Sequence, residues 1–246
     1  MKRQLFIASS MATALAGCAR ITNGLNDNPQ AHGALKIAEN LNHAIIGTHG
    51  SAKLYSESDI TRKFPTNGND TPLDPAYQQL VQGRFEQYRL PVSGLVERPQ
   101  TFDLKALRAL TTLSEITRHD CVEGWSVVGK WSGVPLADIL RVLHPKPAAR
   151  YVVFYSFDRD SNGQQFYGSL DLTQAAHPQT QLALDLNGRP IDADHGGPVR
   201  LRIPTQLAYK STKWVQRMEL VSTFKPIFAG NGGYWEDQGY EWYAGI

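Results

Sequence analysis

At 246 residues, 41% of them hydrophobic and 20% charged, the chain has a globular composition and enough length for a substantial core in one large or two small domains. Formal net charge is +2, and setting Lys2 and Arg3 aside with a removable leader leaves 23 basic against 23 acidic residues. Near-neutrality without a basic stripe argues against nucleic acid as a partner and leaves a local anion pocket open.

The N-terminus, MKRQLFIASSMATALAGC, has a basic start, an apolar run from Leu5 to Leu15, and small residues after it. This is the layout of a secretory signal peptide over residues 1–17, too short to read as a membrane-spanning helix. Leu15-Ala16-Gly17-Cys18 resembles a bacterial lipobox, in which Cys18 becomes the lipidated first residue of the mature protein. The expectation is a periplasmic domain tethered to a membrane surface by lipid. The alternatives are an unlipidated cleavage site nearby or a short apolar helix. If Cys18 is lipidated, Cys121 has no disulfide partner, since the chain holds two cysteines.

Residues 18–60 read as a linker or N-terminal arm, with a short helix between Ala34 and Ile46, and residues 61–246 as the main domain. FPTNGNDTPLDP (64–75) reads as an irregular surface loop with a tight turn at Asn67-Gly68. YRLPVSGLVERP reads as an edge strand, its pairing limited by Pro91 and Pro99. TFDLKALRAL reads as a helix capped by Thr101, with Asp103 in its first turn and Leu104, Leu107 and Leu110 on one face. SEITRHDC reads as a strand running into the loop that carries Cys121. Pro135 opens a second helix with Leu136, Ile139, Leu140 and Leu143 inward. YVVFYSF is a buried strand, LALDLNGRPI a strand, Asn187-Gly188 turn and strand, and VRLRIP and WVQRMELVS are further strands. Short helices among strands, without a regular βαβ period, predict an α+β fold.

Two constellations carry chemistry. Cys121 lies within two residues of His119, Asp120 and Glu123. It is read as a nucleophile, as a zinc ligand with His119, or as the single thiolate on a softer metal already held by an organic cofactor. Zinc is the weakest of the three, because no CxxC or HxxxH completes the site. The other two stay open on spacing alone. The second constellation is DHGGPVRLRIP (194–204) with AYKSTKW (208–214). Gly196 and Gly197 permit close backbone approach, Arg200 offers a bidentate anion grip, and Lys210, Ser211, Thr212 and Lys213 complete a plausible phosphate cradle. The alternative for each stretch is a tight turn with solvated charges. Neither matches a Walker A or dinucleotide fingerprint.

Together, RHDCVEGWSVVGKWSGVPLADIL, LDLTQAAHPQTQLALDLNGRPIDADHGGPVRLRIP and YKSTKW resemble the molybdopterin-binding domain of the sulfite oxidase superfamily. The resemblance runs from about Phe64 to the C-terminus. It is nearer to bacterial periplasmic oxidoreductases of the methionine-sulfoxide reductase catalytic-subunit type than to sulfite oxidase itself. It implies a largely β fold of the sulfite oxidase type and a molybdenum-molybdopterin cofactor, with Cys121 as the metal-ligating thiolate. It implies that Asn67, Ser156, His195, Arg200, Ser211, Thr212 and Lys213 hold the cofactor, His195 standing where reductase-like members carry Asn.

The resemblance has departures. Sulfite-oxidising members carry an arginine-containing segment after the metal-binding cysteine. Here that place is VEGWSVVGKW, with Lys130 the nearest cation, and Arg118 would have to arrive from elsewhere. This favours oxygen-atom transfer from an S-oxide or N-oxide, with sulfite-type oxidation second and a non-catalytic binding domain as the other class. The chain has no haem-binding CxxCH, so electrons are expected from an external partner such as a membrane cytochrome or a soluble redox protein. Lys2-Arg3 is a near-match to a twin-arginine export signal. The tail, GNGGYWEDQGYEWYAGI (230–246), reads as aromatic packing over the domain or as a border to the substrate funnel.

Overall fold

The computed structural model describes residues 50–68, 71–110 and 113–246. The expected leader, Lys2-Arg3, Cys18 and the helix at 34–46 lie outside the described residues. Among the described residues, ten strands form two five-stranded sheets flanked by short helices, so the expected α+β, largely β architecture is observed. No described helix is long and apolar enough to cross a membrane.

The first sheet has the order β2-β1-β10-β5-β6, from β1 (Arg89–Gly94), β2 (Gln100–Asp103), β5 (Tyr151–Arg159), β6 (Gln165–Asp171) and β10 (Val215–Val221). β1 runs parallel to β10 and the other neighbours are antiparallel. The expectation that β1 is an edge strand is therefore corrected: β2 takes the edge. The β10 ladder begins at Val92, beyond Pro91, so the N–H that Pro91 lacks falls outside that ladder. β5 is buried on both faces, which explains its unbroken apolar run. Val152 and Phe154 enter the main core, while Val153 and Tyr155 pack in a second cluster with Tyr167.

The second sheet has the order β3-β4-β7-β8, with β9 also paired to β7. Its strands are β3 (Leu113–Asp120), β4 (Ser126–Pro135), β7 (Gln181–Leu186), β8 (Arg189–Pro190) and β9 (Arg200–Arg202). Asn187 and Gly188 both have positive φ, 52° and 78°, and form the expected two-residue hairpin turn between β7 and β8. The segment just after Gly50 lies along β3, with a bridge between Leu54 and Thr117 and a hydrogen bond from Tyr55 N–H to the Ile116 carbonyl.

Helix α1 (Pro75–Gln82) begins at the last residue of the expected loop, in a stretch for which no element was expected. Asp74 caps it through Oδ1, accepting from the N–H groups of Ala76 and Tyr77, and Pro75 occupies its first turn. Helix α2 (Leu104–Ala109) is capped by Asp103 rather than Thr101, which lies in β2 opposite Pro91. Helix α3 (Leu136–Leu143) buries Leu136, Ile139, Leu140 and Leu143, as its 3.6-residue spacing requires. Pro135 is its flanking N-cap rather than its first residue. α3 packs into the core with Leu90, Val92, Leu182, Leu184 and Leu201, which joins the two sheets. Helices α4 (Leu172–Ala175) and α5 (Tyr234–Asp237) are single turns.

Candidate active site

A cavity of about 330 Å³ is lined by residues from both sheets and from the loops between them. Asn67, Cys121, Ser156, His195, Arg200, Ser211, Thr212 and Lys213 all face it. These eight positions span nearly 150 residues of sequence, and folding brings them to one place.

Cys121 follows β3 in a tight turn closed by two bonds, Cys121 N–H to the Trp125 carbonyl and Gly124 N–H to the Cys121 carbonyl. Its Sγ accepts from Asn67 Nδ2 at 3.3 Å. Burial pushes the thiol up from its ordinary range, opposed by the backbone N–H of Glu123. The acidic neighbours are committed elsewhere. Asp120 pairs with Arg118 Nε at 3.0 Å and accepts from Ser126 Oγ at 2.5 Å, while Glu123 accepts from Trp125 Nε1 at 3.0 Å.

His119, near the end of β3 and two residues before Cys121, also faces the cavity. Its Nε2 lies 3.4 Å from Arg200 Nη2. A guanidinium only donates, so Nε2 accepts and the ring is neutral. Burial, reinforced by Arg200, Arg202 and Lys213, holds its pKa well below the usual range. His119 thus supports Arg200, and among the described residues the side-chain donor to the thiol is Asn67. Among the described residues, no cluster of three or more His, Cys, Asp or Glu side chains could hold a metal ion by itself.

Arg200 is buried on β9 and donates Nη1 to the His195 carbonyl at 3.0 Å, while its guanidinium stacks 5.3 Å from the Trp131 ring. Burial pushes its pKa down to about 10, so it remains a cation at neutral pH. Its Nε is buried and has no hydrogen-bond partner among the described residues. A buried cation with an unused donor beside the hydroxyls of Ser211 and Thr212 suits a phosphate. The loop carrying those hydroxyls lies close to its neighbours because glycine leaves room: a Cβ on Gly196 would stand 2.8 Å from Lys213 Cβ, and one on Gly168 would stand 2.9 Å from Thr212 Oγ1.

The remaining contacts hold the rim. Lys213 Nζ donates to the Asn67 carbonyl at 2.8 Å, and Ser156 Oγ donates to the Lys213 carbonyl at 2.9 Å. Both His195 ring nitrogens face acceptors, Asp192 Oδ1 at 2.6 Å and the Phe64 carbonyl at 3.1 Å, which ties the glycine-rich loop to the loop bearing Asn67. Lys210 stands apart from this group, buried against Glu236 and the Trp242 ring. Neither Arg118 nor Lys130 faces the cavity, and Lys130 is paired with Glu57 at 2.5 Å. Sequence reasoning left His119 out of the cofactor set and did not foresee Asp158, near the end of β5, or Phe166 and Tyr167, on the unforeseen strand β6, at the cavity.

A family model for the oxidoreductase molybdopterin binding domain matches residues 77–228. The chain belongs to that family. It is 37% identical over 254 residues to a protein of Azospira oryzae that carries the provisional name protein-methionine-sulfoxide reductase subunit YedZ1, covering 99% of this chain and 87% of the relative. It is 34% identical over 153 residues to the protein-methionine-sulfoxide reductase catalytic subunit MsrP of Ralstonia nicotianae, covering 58% of this chain and 46% of that one. Among solved structures it is similar to the sulfane dehydrogenase SoxCD of Paracoccus pantotrophus, with a TM-score of 0.50 and 22% identity over 56% of this chain and 39% of that one. That likeness concerns the fold, which is of the sulfite oxidase type. As a member of the molybdopterin-binding family the chain is an oxidoreductase, and its cofactor is molybdenum-molybdopterin. The site fits that group: one thiol for a soft metal and, beside it, a buried arginine with an unused donor and two hydroxyls for a phosphate.

Proposed function

We propose that this protein reduces neutral S-oxides, in the net reaction of one S-oxide with two electrons and two protons to give the thioether and water. Bound molybdenum-molybdopterin supplies a two-electron redox centre competent for oxygen-atom transfer. The Cys121 thiolate would hold the metal, with Asn67 orienting the sulfur. Arg200, Ser211, Thr212 and Lys213 would hold the phosphate and pterin, with Ser156 and His195 fixing the loops that carry them. Electrons would come from an external redox partner such as a membrane cytochrome.

One observation carries the choice of substrate. Arg200 and Lys213 are the arginine and lysine facing the cavity, and both belong to the proposed cofactor grip, while Glu123, Asp158 and Asp194 add negative charge around it. A sulfur oxyanion would therefore meet no uncommitted cation among the described residues, whereas a neutral S-oxide needs none. The names of the Azospira and Ralstonia relatives support the same reading. The N-terminal sequence MKRQLFIASSMATALAGC supports export to the periplasm and a lipid anchor on Cys18.

The test is a panel of S-oxides, N-oxides and sulfite against molybdenum-loaded protein with artificial electron donors and acceptors. S-oxide-dependent oxidation of a reduced dye, faster than any sulfite-dependent reduction of an acceptor, is expected. Sulfite turnover that exceeds S-oxide turnover would overturn the reading.

A further inference from the structure

The matched family domain ends at residue 228, yet two cavity-lining residues, Trp235 and Tyr240, come from the tail beyond it. Both are large and aromatic, and both keep more than a third of their surface exposed, 39% and 37%. Their rings touch each other with centroids 5.4 Å apart, and they extend a cluster in which Trp235 meets Phe166 and Tyr240 meets Tyr209. Phe166 and Tyr209 also line the cavity.

The tail is fastened behind these rings. Glu236, next to Trp235 in the chain, is buried against Lys210, and Asp237 accepts from Tyr167 Oη at 2.7 Å. Further along, Leu207 N–H donates to the Ala244 carbonyl and Ile246 N–H to the Thr205 carbonyl. An anchored backbone with two half-exposed aromatic rings facing a cavity makes a preorganised apolar wall. Val122, 46% exposed on the turn that carries the thiol, adds apolar surface to the same cavity.

We propose that Trp235 and Tyr240 are specificity-determining residues that hold the apolar substituent of the substrate, so that the site favours S-oxides bearing an aryl or extended alkyl group over compact polar ones. This rests on the S-oxide reading and assigns the part of the site that selects among S-oxides. The rings would contact the substituent, while the thiolate end handles the oxide.

The test compares methyl p-tolyl sulfoxide with dimethyl sulfoxide in molybdenum-loaded wild type, Trp235→Ala, Tyr240→Ala and Trp235→Phe. The wild type is expected to favour the aryl sulfoxide in kcat/KM. Each alanine variant should lower that preference about tenfold, mainly through KM, the scale of one lost aromatic contact in an apolar pocket. Trp235→Phe should restore most of it, with molybdenum content and Tm unchanged throughout. Alanine variants that keep the wild-type preference, or that lose both substrates equally, would overturn the proposal. Calorimetric binding of methyl p-tolyl sulfide, which carries no oxide, separates the two levels. If the wild type turns over neither sulfoxide, the S-oxide reading fails, and the wall then stands or falls on the thioether. Binding weakened about tenfold in the alanine variants upholds it, whereas equal binding, or none to the wild type, removes it.

Discussion

Asn67 donates its side-chain amide to the sulfur of Cys121 at 3.3 Å, across 54 residues of chain. The loop bearing Asn67 is held in turn by Lys213, which donates to the Asn67 carbonyl, and by His195, which donates to the Phe64 carbonyl. Thiol, loop and proposed phosphate cradle are therefore one connected unit. Asn67→Ala removes the donor without opening a cavity, because residue 67 is exposed. Molybdenum retained after gel filtration should fall at least several-fold in this variant, while Tm stays within a few degrees. Full retention would place the amide outside the metal site.

Arg200 should show a conflict between stability and binding. It is buried, no carboxylate lies within ion-pair distance of it among the described residues, and Arg202 crowds the same Trp131 ring at 5.4 Å. A buried charge without a partner is costly, and an apolar residue of similar volume often replaces it without loss. Arg200→Met should leave the Tm of the cofactor-free protein unchanged or raised, yet abolish retention of the cofactor. A large fall in Tm would show that Arg200 is mainly a structural residue.

Lys210 and Glu236 form a buried pair, 1% and 3% exposed, between the YKSTK segment and the tail. Glu236→Leu alone strands the ammonium and should cost ~3–5 kcal/mol in chemical denaturation. Adding Lys210→Met should recover most of that loss. Equal stability of the single and double variants would contradict the pairing.

His177 gives the fold a pH dependence. Its Nδ1 accepts from the Gln179 N–H at 3.2 Å and its Nε2 faces the Gly50 carbonyl at 3.1 Å, an arrangement that fits the neutral ring protonated on Nε2. Burial holds its pKa below the ordinary 6.5, partly offset by the Gly50 carbonyl. As pH falls through 6.5 the unfolded chain takes up a proton that the folded chain resists. Stability should therefore decline below about pH 6.5 and level off beneath the folded-state pKa. Denaturation midpoints at about pH 7.5 and pH 5.5 test this, and His177→Asn should reduce the difference, with His119, also held below the ordinary range by burial, supplying part of the rest. An unchanged slope in that variant would assign the effect to another group.

Much of the candidate site was legible in sequence because it is built from local motifs, in CVEGWS, DHGG and YKSTK, whose residues the fold brings to one cavity. Parts of the fold were harder to see. β4 contains Gly129 and Gly133, which interrupt its alternation. Gly133 is needed there because a Cβ would lie 2.0 Å from the Leu182 carbonyl of the neighbouring strand. β6 is broken in the same way by Gly168, where Thr212 approaches. α1 begins at an Asp-Pro pair inside a proline-rich stretch, so the signal that starts the helix looked like one that ends structure. Thr101 and Asp103 are both acceptable caps by type, and the fold decides between them: Asp103 accepts from the Ala106 N–H, while Thr101 pairs with Pro91 in β2. The support of Arg200 by His119 depends on two strands, β3 and β9, that are 81 residues apart at the contact and do not pair with each other.

Ligation of molybdenum by Cys121 is read directly by X-ray absorption at the molybdenum edge, on wild type and Cys121→Ser purified from a cofactor-competent host. One fewer sulfur neighbour around molybdenum is expected in the variant, with an intact fold and no turnover with a reduced dye donor. An unchanged sulfur count, or wild-type turnover in Cys121→Ser, would contradict it.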